Sequence, residues 1–370
     1  MKVYFFCQFL FSEDGRRSGH TSLLRQCVPE FLSRGYDVEI VALSGVHDDD
    51  SPCKVHILQN ISHRPNWNRI FKVFYWIMII ARLTVFVISN FGKLKQSSLV
   101  TLTAGASFLL PFFFRRVYIW ENVAYLQKRP LIDICRLWLM LFLRAIIVVP
   151  TSNECSSLKR IFPKYDVRFI RNWFSPNIQK KNRHIPPKSL KFLSAGILQK
   201  RKGFDLLIEA VFTIKQSLDQ DVRFHIYGDG EERSALKNLI QQYEVDNFIK
   251  LKGPRNGLEN IYRDYDIFIL PSRLEGFPLV MIDSLACGLP VIAFDCPTGP
   301  REIIRSGYNG VLVDNGDIES LSASILSFTQ DKKIVALSEG ACLSAEPFSM
   351  DLIIDEWEIM IKENQMCIGV

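Results

Sequence analysis

The run IFILPSRLEGFPLVMIDSLACGLPVIAFDCPTGPREII, residues 267–304, holds two short, wholly apolar segments, Ile267–Leu270 and Val291–Phe294. A helical pattern lies between them, over Pro278–Cys287. Strands that read as unbroken apolar runs are buried on both faces, as in a parallel sheet. A helix returning the chain between two of them is a parallel crossover. The run therefore points to an α/β fold. It also holds two acids, Glu275 and Asp283, in a segment that otherwise reads as core. Pro278 suits the first turn of a helix. That places the N–H groups of Gly276 and Phe277 near the positive end of the helix dipole, with Glu275 just outside in the loop. A carboxylate accepts from two neighbouring hydroxyls, so two acids on one such element suit a polyol held at two points. The plainer alternative is a helix-start Glu and a surface Asp. Leu279, Val280 and Met281 are core on either view.

The same alternation extends along the chain. Strands are expected at Lys2–Phe6, Asp37–Leu43, Leu99–Thr103, Val117–Trp120 and Ala145–Val149. A second set follows at Leu190–Ala195, Val222–Tyr227, Phe248–Leu251, Ile267–Leu270, Val291–Phe294 and Gly310–Val313. Helices are expected at Thr21–Arg34, Lys202–Ser217, Glu231–Tyr243, Leu258–Asp264, Pro278–Cys287, Ile318–Phe328 and Met350–Asn364. Such alternation builds doubly wound layers. The polar stretch Gln179–Lys188, with Pro186-Pro187, reads as a linker. The expected division is a first domain over 1–178, a linker over 179–189, a second domain over 190–346, and a last helix and tail over 347–370.

The 370 residues are enough for two domains, and 23% charged with 48% hydrophobic residues is globular rather than disordered. Nine scattered Cys show no C-x-x-C spacing, which suggests a reducing compartment. The start MKVYFFCQFLF lacks a small-residue cleavage site and meets Glu13-Asp14, so it reads as a first strand. Charge is uneven. Residues 1–175 hold 23 Lys and Arg against 12 Asp and Glu, while the rest hold 22 against 27. From Ser51 to Trp120 there are nine basic residues and no acid. Such a field attracts anionic lipid or nucleic acid, and no recognition motif supports the latter. Val73–Ile88 and Leu137–Val149 are apolar but fall short of the ~20 residues of a membrane span. They are expected to pack in the first domain. A sharper reading has one of them dock on a bilayer through Lys72, Arg82, Lys93 and Lys95.

In open parallel sheets ligands bind at the carboxyl ends of strands. GILQKRKGF (Gly196–Phe204) follows one such end. Gly196 and Gly203 allow close backbone approach, and Lys200, Arg201 and Lys202 put three cations beside a helix start, a phosphate-binding arrangement. A solvated charge run is the competing view. GDGEE, from Gly228, resembles a nucleotide turn but is not G-x-G-x-x-G.

Taken together, SRLEGFPLVMIDSLACGLPVIAFDCPTGPREII (Ser272–Ile304), AGILQKRKGFDLLIEA (Ala195–Ala210), IYGDGEERSAL, DIFILPS and GYNGVLVDNGD resemble, in order and spacing, the retaining glycosyltransferases of family 4. The likeness covers about residues 190–328, and the DCPTGPREI form is most similar to transferases of bacterial lipopolysaccharide, O-antigen or capsule assembly. It implies a GT-B fold: two Rossmann-like domains facing a cleft, with a C-terminal helix crossing back to the first. It implies a nucleotide diphosphate sugar, by family default a UDP-sugar, as co-substrate, with no metal and no resident cofactor. Glu275 would contact sugar hydroxyls with the N–H groups of Gly276, Phe277 and Leu279, beside Pro278. Asp283 would take the ribose diol, and Lys202 the diphosphate. Gly196, Arg201 and Gly228 would complete the donor loops. The chain departs from the family at Asp283, where Glu is usual, and at Ile197, where a phosphate-binding Arg is often found. Arg201 or Lys200 is the expected substitute. FSEDGRRSGHTSLL resembles the family's glycine loop, which would set Gly19 near the diphosphate; His20 reads as a helix-start residue. WENVAY, from Trp120, puts Glu121 and Asn122 near the donor sugar, with Glu121 a candidate catalytic residue. Asn172 reads as structural.

The implied partners are the donor, a lipid-linked or lipopolysaccharide glycan acceptor, and an anionic membrane on the inner face of the cytoplasmic membrane. Two other readings remain: a sugar-nucleotide epimerase or another hydrolase-like enzyme of GT-B fold, which should lack the Glu275 loop, and a non-catalytic sugar-nucleotide-binding subunit, suggested by Ile197 and Asp283.

Overall fold

In the computed structural model of the chain, the residues described are 1–9, 19–45, 51–58, 69–102, 113–114, 116–120, 145–181, 189–330 and 334–366. The chain divides into two compact units, one of residues 1–170 with 356–370, the other of residues 171–355. The last helix, Met350–Met366, begins in the second unit and ends in the first. Of the expected linker, residues 182–188 lie outside the described residues. The backbone N–H of Lys181 donates to Cys287 O and Arg263 donates to the Gln179 side chain, so residues 179–181 are held to the second unit.

The first unit carries a seven-stranded sheet in the order β3-β2-β1-β4-β5-β6-β7, every pair parallel. The strands are β1 Lys2–Phe9, β2 Asp37–Ser44, β3 Lys54–Ile57, β4 Ser98–Thr101, β5 Arg116–Trp120, β6 Ile146–Val149 and β7 Val167–Phe169. Helix α1, Gly19–Ser33, and helix α2, Arg69–Leu94, connect strands of this sheet. β3 and β7 were not expected. Both are short edge strands with charged residues, and β3 is nowhere fully buried, so neither carries an apolar run. The helix Ser152–Ile161 was also missed, because it is polar overall. Its signal was a capping box, Thr151-x-x-Glu154. Thr151 Oγ1 accepts from Glu154 N at 3.3 Å and donates to Glu154 Oε2 at 2.8 Å.

The second sheet has the order β10-β9-β8-β11-β12-β13, again all parallel. Its strands are β8 Lys191–Ala195, β9 Arg223–Tyr227, β10 Ile249–Gly253, β11 Ile267–Leu270, β12 Val291–Asp295 and β13 Gly310–Asp314. Successive residues feed two cores. Phe192, Phe224, Ile267, Ile269, Ile292 and Phe294 belong to one, and Leu193, Tyr227, Phe268, Leu270, Val291 and Ala293 to the other. With both faces covered, the central strands need no polar position, which is why β11 and the first four residues of β12 read as unbroken apolar runs, whereas β9 and β10 interleave Arg223, His225, Lys250 and Lys252. Phe192 and Phe224 stack with ring centroids 4.5 Å apart. The helix expected over Leu258–Asp264 is instead two 3-10 turns, Leu258–Asn260 and Tyr262–Asp264. The helix Ile334–Ala345 was not expected.

Helix α2 corrects the reading of its segment. It runs 26 residues, and Ile77–Leu94, of mean hydropathy 1.6, is long and apolar enough to cross a membrane by length and composition. The apolar count had stopped at Ser89-Asn90, which the helix carries through. Ile79, Leu83, Phe86, Val87 and Leu94 nonetheless pack in the core of the first unit with Tyr4, Phe6 and Leu99. The corresponding expectation for Leu137–Val149 falls largely outside the described residues.

Candidate active site

The second sheet changes direction between β8 and β11. The chain steps outward from β8 to β9 and β10, returns beside β8 as β11, and steps the other way. Loops leaving β8 and β11 thus diverge at a topological switch point, where open α/β sheets bind ligands. These are the two loops singled out above, Gly196–Gly203 and Pro271–Pro278.

Glycine lets them interlock. Gly203, with φ of 66°, would place a Cβ 1.8 Å from Pro271 O. Gly228, after β9, would place one 1.9 Å from Gly196 O. The clasp is then tied by polar groups. Arg273 N donates to Arg201 O at 2.8 Å, and the Arg273 guanidinium grips Asp205 at 2.7 and 2.8 Å. Lys200 Nζ lies 2.6 Å from the same carboxylate. Burial raises the Asp205 pKa, but the bonds from Arg273 and Lys200 outweigh it and hold the carboxyl below its usual range.

Within the clasp lies a buried ion pair. Lys202 Nζ stands 2.5 Å from Glu275 Oε1, with the two residues 8% and 5% exposed. Ser272 Oγ donates to the same oxygen at 2.6 Å. Arg201 Nη1 is 3.7 Å from Glu275 Oε2 and donates to Leu274 O at 3.4 Å. A third loop, after β12, closes over the backbone. Thr298 Oγ1 donates to Glu275 O at 2.6 Å, and Thr298 holds φ at 65°. A left-handed non-glycine residue costs energy and collects at functional sites. Gly299 would drive a Cβ to 2.4 Å from Gly276 O.

Glu275, Lys202, Arg201, Gly196, Gly228, Gly276, Phe277 and Pro278 are thus brought to adjoining loops. The helix that follows starts at Leu279, one residue later than expected, with Pro278 as its cap. Asp283 stands apart from the ion pair. Its Oδ1 accepts from Ser175 N at 2.7 Å, and burial pushes its carboxyl up to about 7, the Ser175 bond working against that. Of the two proposed substitutes for Ile197, Lys200 is taken by Asp205, and Arg201 turns toward Glu275. Ile197 itself is 48% exposed. Gly19 opens α1, while the loop before it, and Glu121 and Asn122, lie outside the described residues. Sequence reasoning missed Ser272, Arg273, Thr298 and Asp205. Only Ser272 left a local signal, three residues before Glu275.

The arrangement can hold an anion at the β8 loop and accept hydroxyls at Glu275. Residues 176–339 match the profile of the family described as "Glycosyl transferases group 1". An "Uncharacterized glycosyltransferase" of Haemophilus influenzae is 30% identical over 214 residues, covering 57% of this chain and 60% of that one. A "UDP-N-acetylglucosamine--peptide N-acetylglucosaminyltransferase GtfA subunit" of Streptococcus pneumoniae is 30% identical over 183 residues, covering 48% of this chain and 36% of that one. The chain thus spans less than two thirds of either relative. Sucrose-phosphate synthase from Thermosynechococcus elongatus superposes with a TM-score of 0.79 at 17% identity, covering 99% of this chain and 100% of that one. The fold is therefore GT-B: two Rossmann-like units with a last helix that passes from the second to the first.

Proposed function

We propose that the chain is a retaining glycosyltransferase, moving a hexose or N-acetylhexosamine from a nucleotide diphosphate sugar to a membrane-linked glycan in surface polysaccharide synthesis. The observation that carries this is the Lys202–Glu275 pair, set by the β8 and β11 loops at the switch point and matched by the family profile over residues 176–339. A UDP-sugar is the first donor to try, since the GtfA relative is named for one.

Negative charge grows on the leaving diphosphate as the glycosidic bond breaks. Lys202 stabilises that charge more in the transition state than in the ground state, provided the phosphate displaces it from Glu275. Glu275 is then free to accept from sugar hydroxyls, with Ser272 keeping its orientation. The N–H groups of Gly276, Phe277 and Leu279 support the sugar. Asp283 takes the ribose diol. Arg201 supplies the second cation that Ile197 lacks. The leaving phosphate takes the acceptor's proton, so no protein nucleophile is invoked, nor a metal or resident cofactor. The acceptor side works at the inner face of the cytoplasmic membrane, through the basic first unit.

Titration calorimetry with UDP and GDP tests the reading on the wild type, Lys202→Ala and Asp283→Ala. Micromolar UDP binding weakened about tenfold or more by each substitution, ~1.4 kcal/mol, is the expected result. Lack of binding by either nucleotide overturns the donor assignment. Binding without turnover of any UDP-sugar favours the non-catalytic subunit, which the exposed Ile197 in the phosphate loop makes a real alternative.

A further inference from the structure

A surface helix normally turns polar residues outward. Helix α2 does not. Ile77, Met78, Ile80, Val85, Ile88 and Phe91 are all exposed, Val85 and Ile88 by 63% and 71%. Ile77, Ala81, Val85, Ile88, Gly92 and Lys95 follow one another at three- and four-residue steps, so they form one ridge along the helix. Thr84 does not interrupt it, because its hydroxyl is returned to Ile80 O at 2.8 Å. Arg82, which the sequence suggested as a lipid contact, is exposed, but its guanidinium is held by Leu58 O, to which it donates at 2.6 Å. Among the described side chains of the helix, the remaining charge lies at the C-terminal end. There Lys93 and Lys95 are exposed, and Lys95 Nζ lies 4.5 Å over the Phe91 ring.

We infer that α2 lies in the plane of an anionic phospholipid bilayer, with the exposed apolar residues from Ile77 to Phe91 in the apolar boundary and Lys93 and Lys95 at the phosphates. A spanning orientation is excluded by the opposite face. Crossing would strip Ile79, Leu83, Phe86, Val87 and Leu94 from the core of the first unit. An in-plane helix keeps that core and buries only what is already exposed. Charge selects the bilayer over a second copy of the chain. Residues 51–120 hold no acid, so a symmetric pair formed through this face would set lysines against a surface with nothing to neutralise them. Anionic headgroups supply the missing charge and acyl chains the apolar contact. The inference deepens the membrane part of the function proposed above. Its test uses no donor, so it can fail while nucleotide binding stands.

The test is co-sedimentation of the full chain with phosphatidylcholine vesicles, with and without phosphatidylglycerol. The wild type should partition onto the phosphatidylglycerol vesicles. Val85→Ser with Ile88→Ser should weaken that binding about tenfold or more, since two aliphatic side chains leave the boundary. Lys93→Gln with Lys95→Gln should lose only the part of binding that depends on phosphatidylglycerol and salt. Both variants alter exposed positions, so unchanged thermal unfolding and UDP binding are expected and confirm the fold. Absence of wild-type binding overturns the inference, as does unchanged binding by the serine variant. A wild-type dimer that the serine variant splits, with no vesicle binding by either, also overturns it, by assigning the ridge to a second copy.

Discussion

Lys202 and Glu275 are nearly enclosed, and a buried pair is costly to break from one side. Lys202→Met leaves an uncompensated carboxylate and should destabilise the second unit by about 3–5 kcal/mol. Adding Glu275→Leu should recover much of that loss, because an apolar pair of similar volume carries no desolvation cost. Urea unfolding of the two single variants and the double variant measures it; a simple sum of the single effects would refute the coupling. Asp283 behaves differently. Its folded pKa of about 7 lies above the ~3.9 of an unfolded Asp. Below about pH 4 both states are protonated and ionisation costs nothing. Between about pH 4 and 7 the unfolded state loses its proton first, so stability falls as pH rises, and above 7 the whole cost is present, on the order of 4 kcal/mol. Asp283→Asn keeps an acceptor for Ser175 N without a charge. Its stability should gain on the wild type steadily from pH 5 to 8, and a constant difference across that range would contradict the burial of the carboxyl.

At the scale of elements, the site depends on backbone contact between loops. Gly203→Ala forces a Cβ against Pro271 O and a left-handed φ together, and should cost at least about 2 kcal/mol while weakening UDP binding. Gly307→Ala shares the positive φ, at 80°, but meets nothing within 4 Å, so it should cost about 1 kcal/mol and leave binding alone. Equal effects of the two would mean that the loop contact plays no part. The central strands of the second unit were legible because their apolar runs are buried on both faces. The strands β3 and β7 were not, because they are only four and three residues long, carry charge and are partly exposed, so no apolar run marks them. The Leu258–Asp264 segment showed a helical pattern but has too few residues for a stable helix between its turns.

At the scale of the molecule, each unit has its own core around its own sheet. Scanning calorimetry should therefore resolve two transitions, and UDP should raise the one that belongs to residues 171–355. At a concentration a hundred times its dissociation constant the shift corresponds to about 2.7 kcal/mol. A single transition, raised as a whole by UDP, would show that the last helix makes the two units one cooperative body.

By itself the amino-acid order determined the parallel α/β layers and the two loops that carry the site, because periodicity, glycines and charge runs are local properties. It also marked Glu275 and Asp283 as acids in a segment that otherwise reads as core, and Lys202 as one of three cations beside a helix start. Only the tertiary structure decided what those residues meet. Lys202 and Glu275 are 73 positions apart, and Asp283 and Ser175 are 108 apart. Strand order at the switch point brings the first pair together, and no local pattern encodes it. The same holds for Asp205, whose carboxylate takes Arg273 from 68 positions away as well as Lys200, and for α2. Its apolar residues were legible, but which of them face the core and which stay exposed depends on the sheet against which the helix packs.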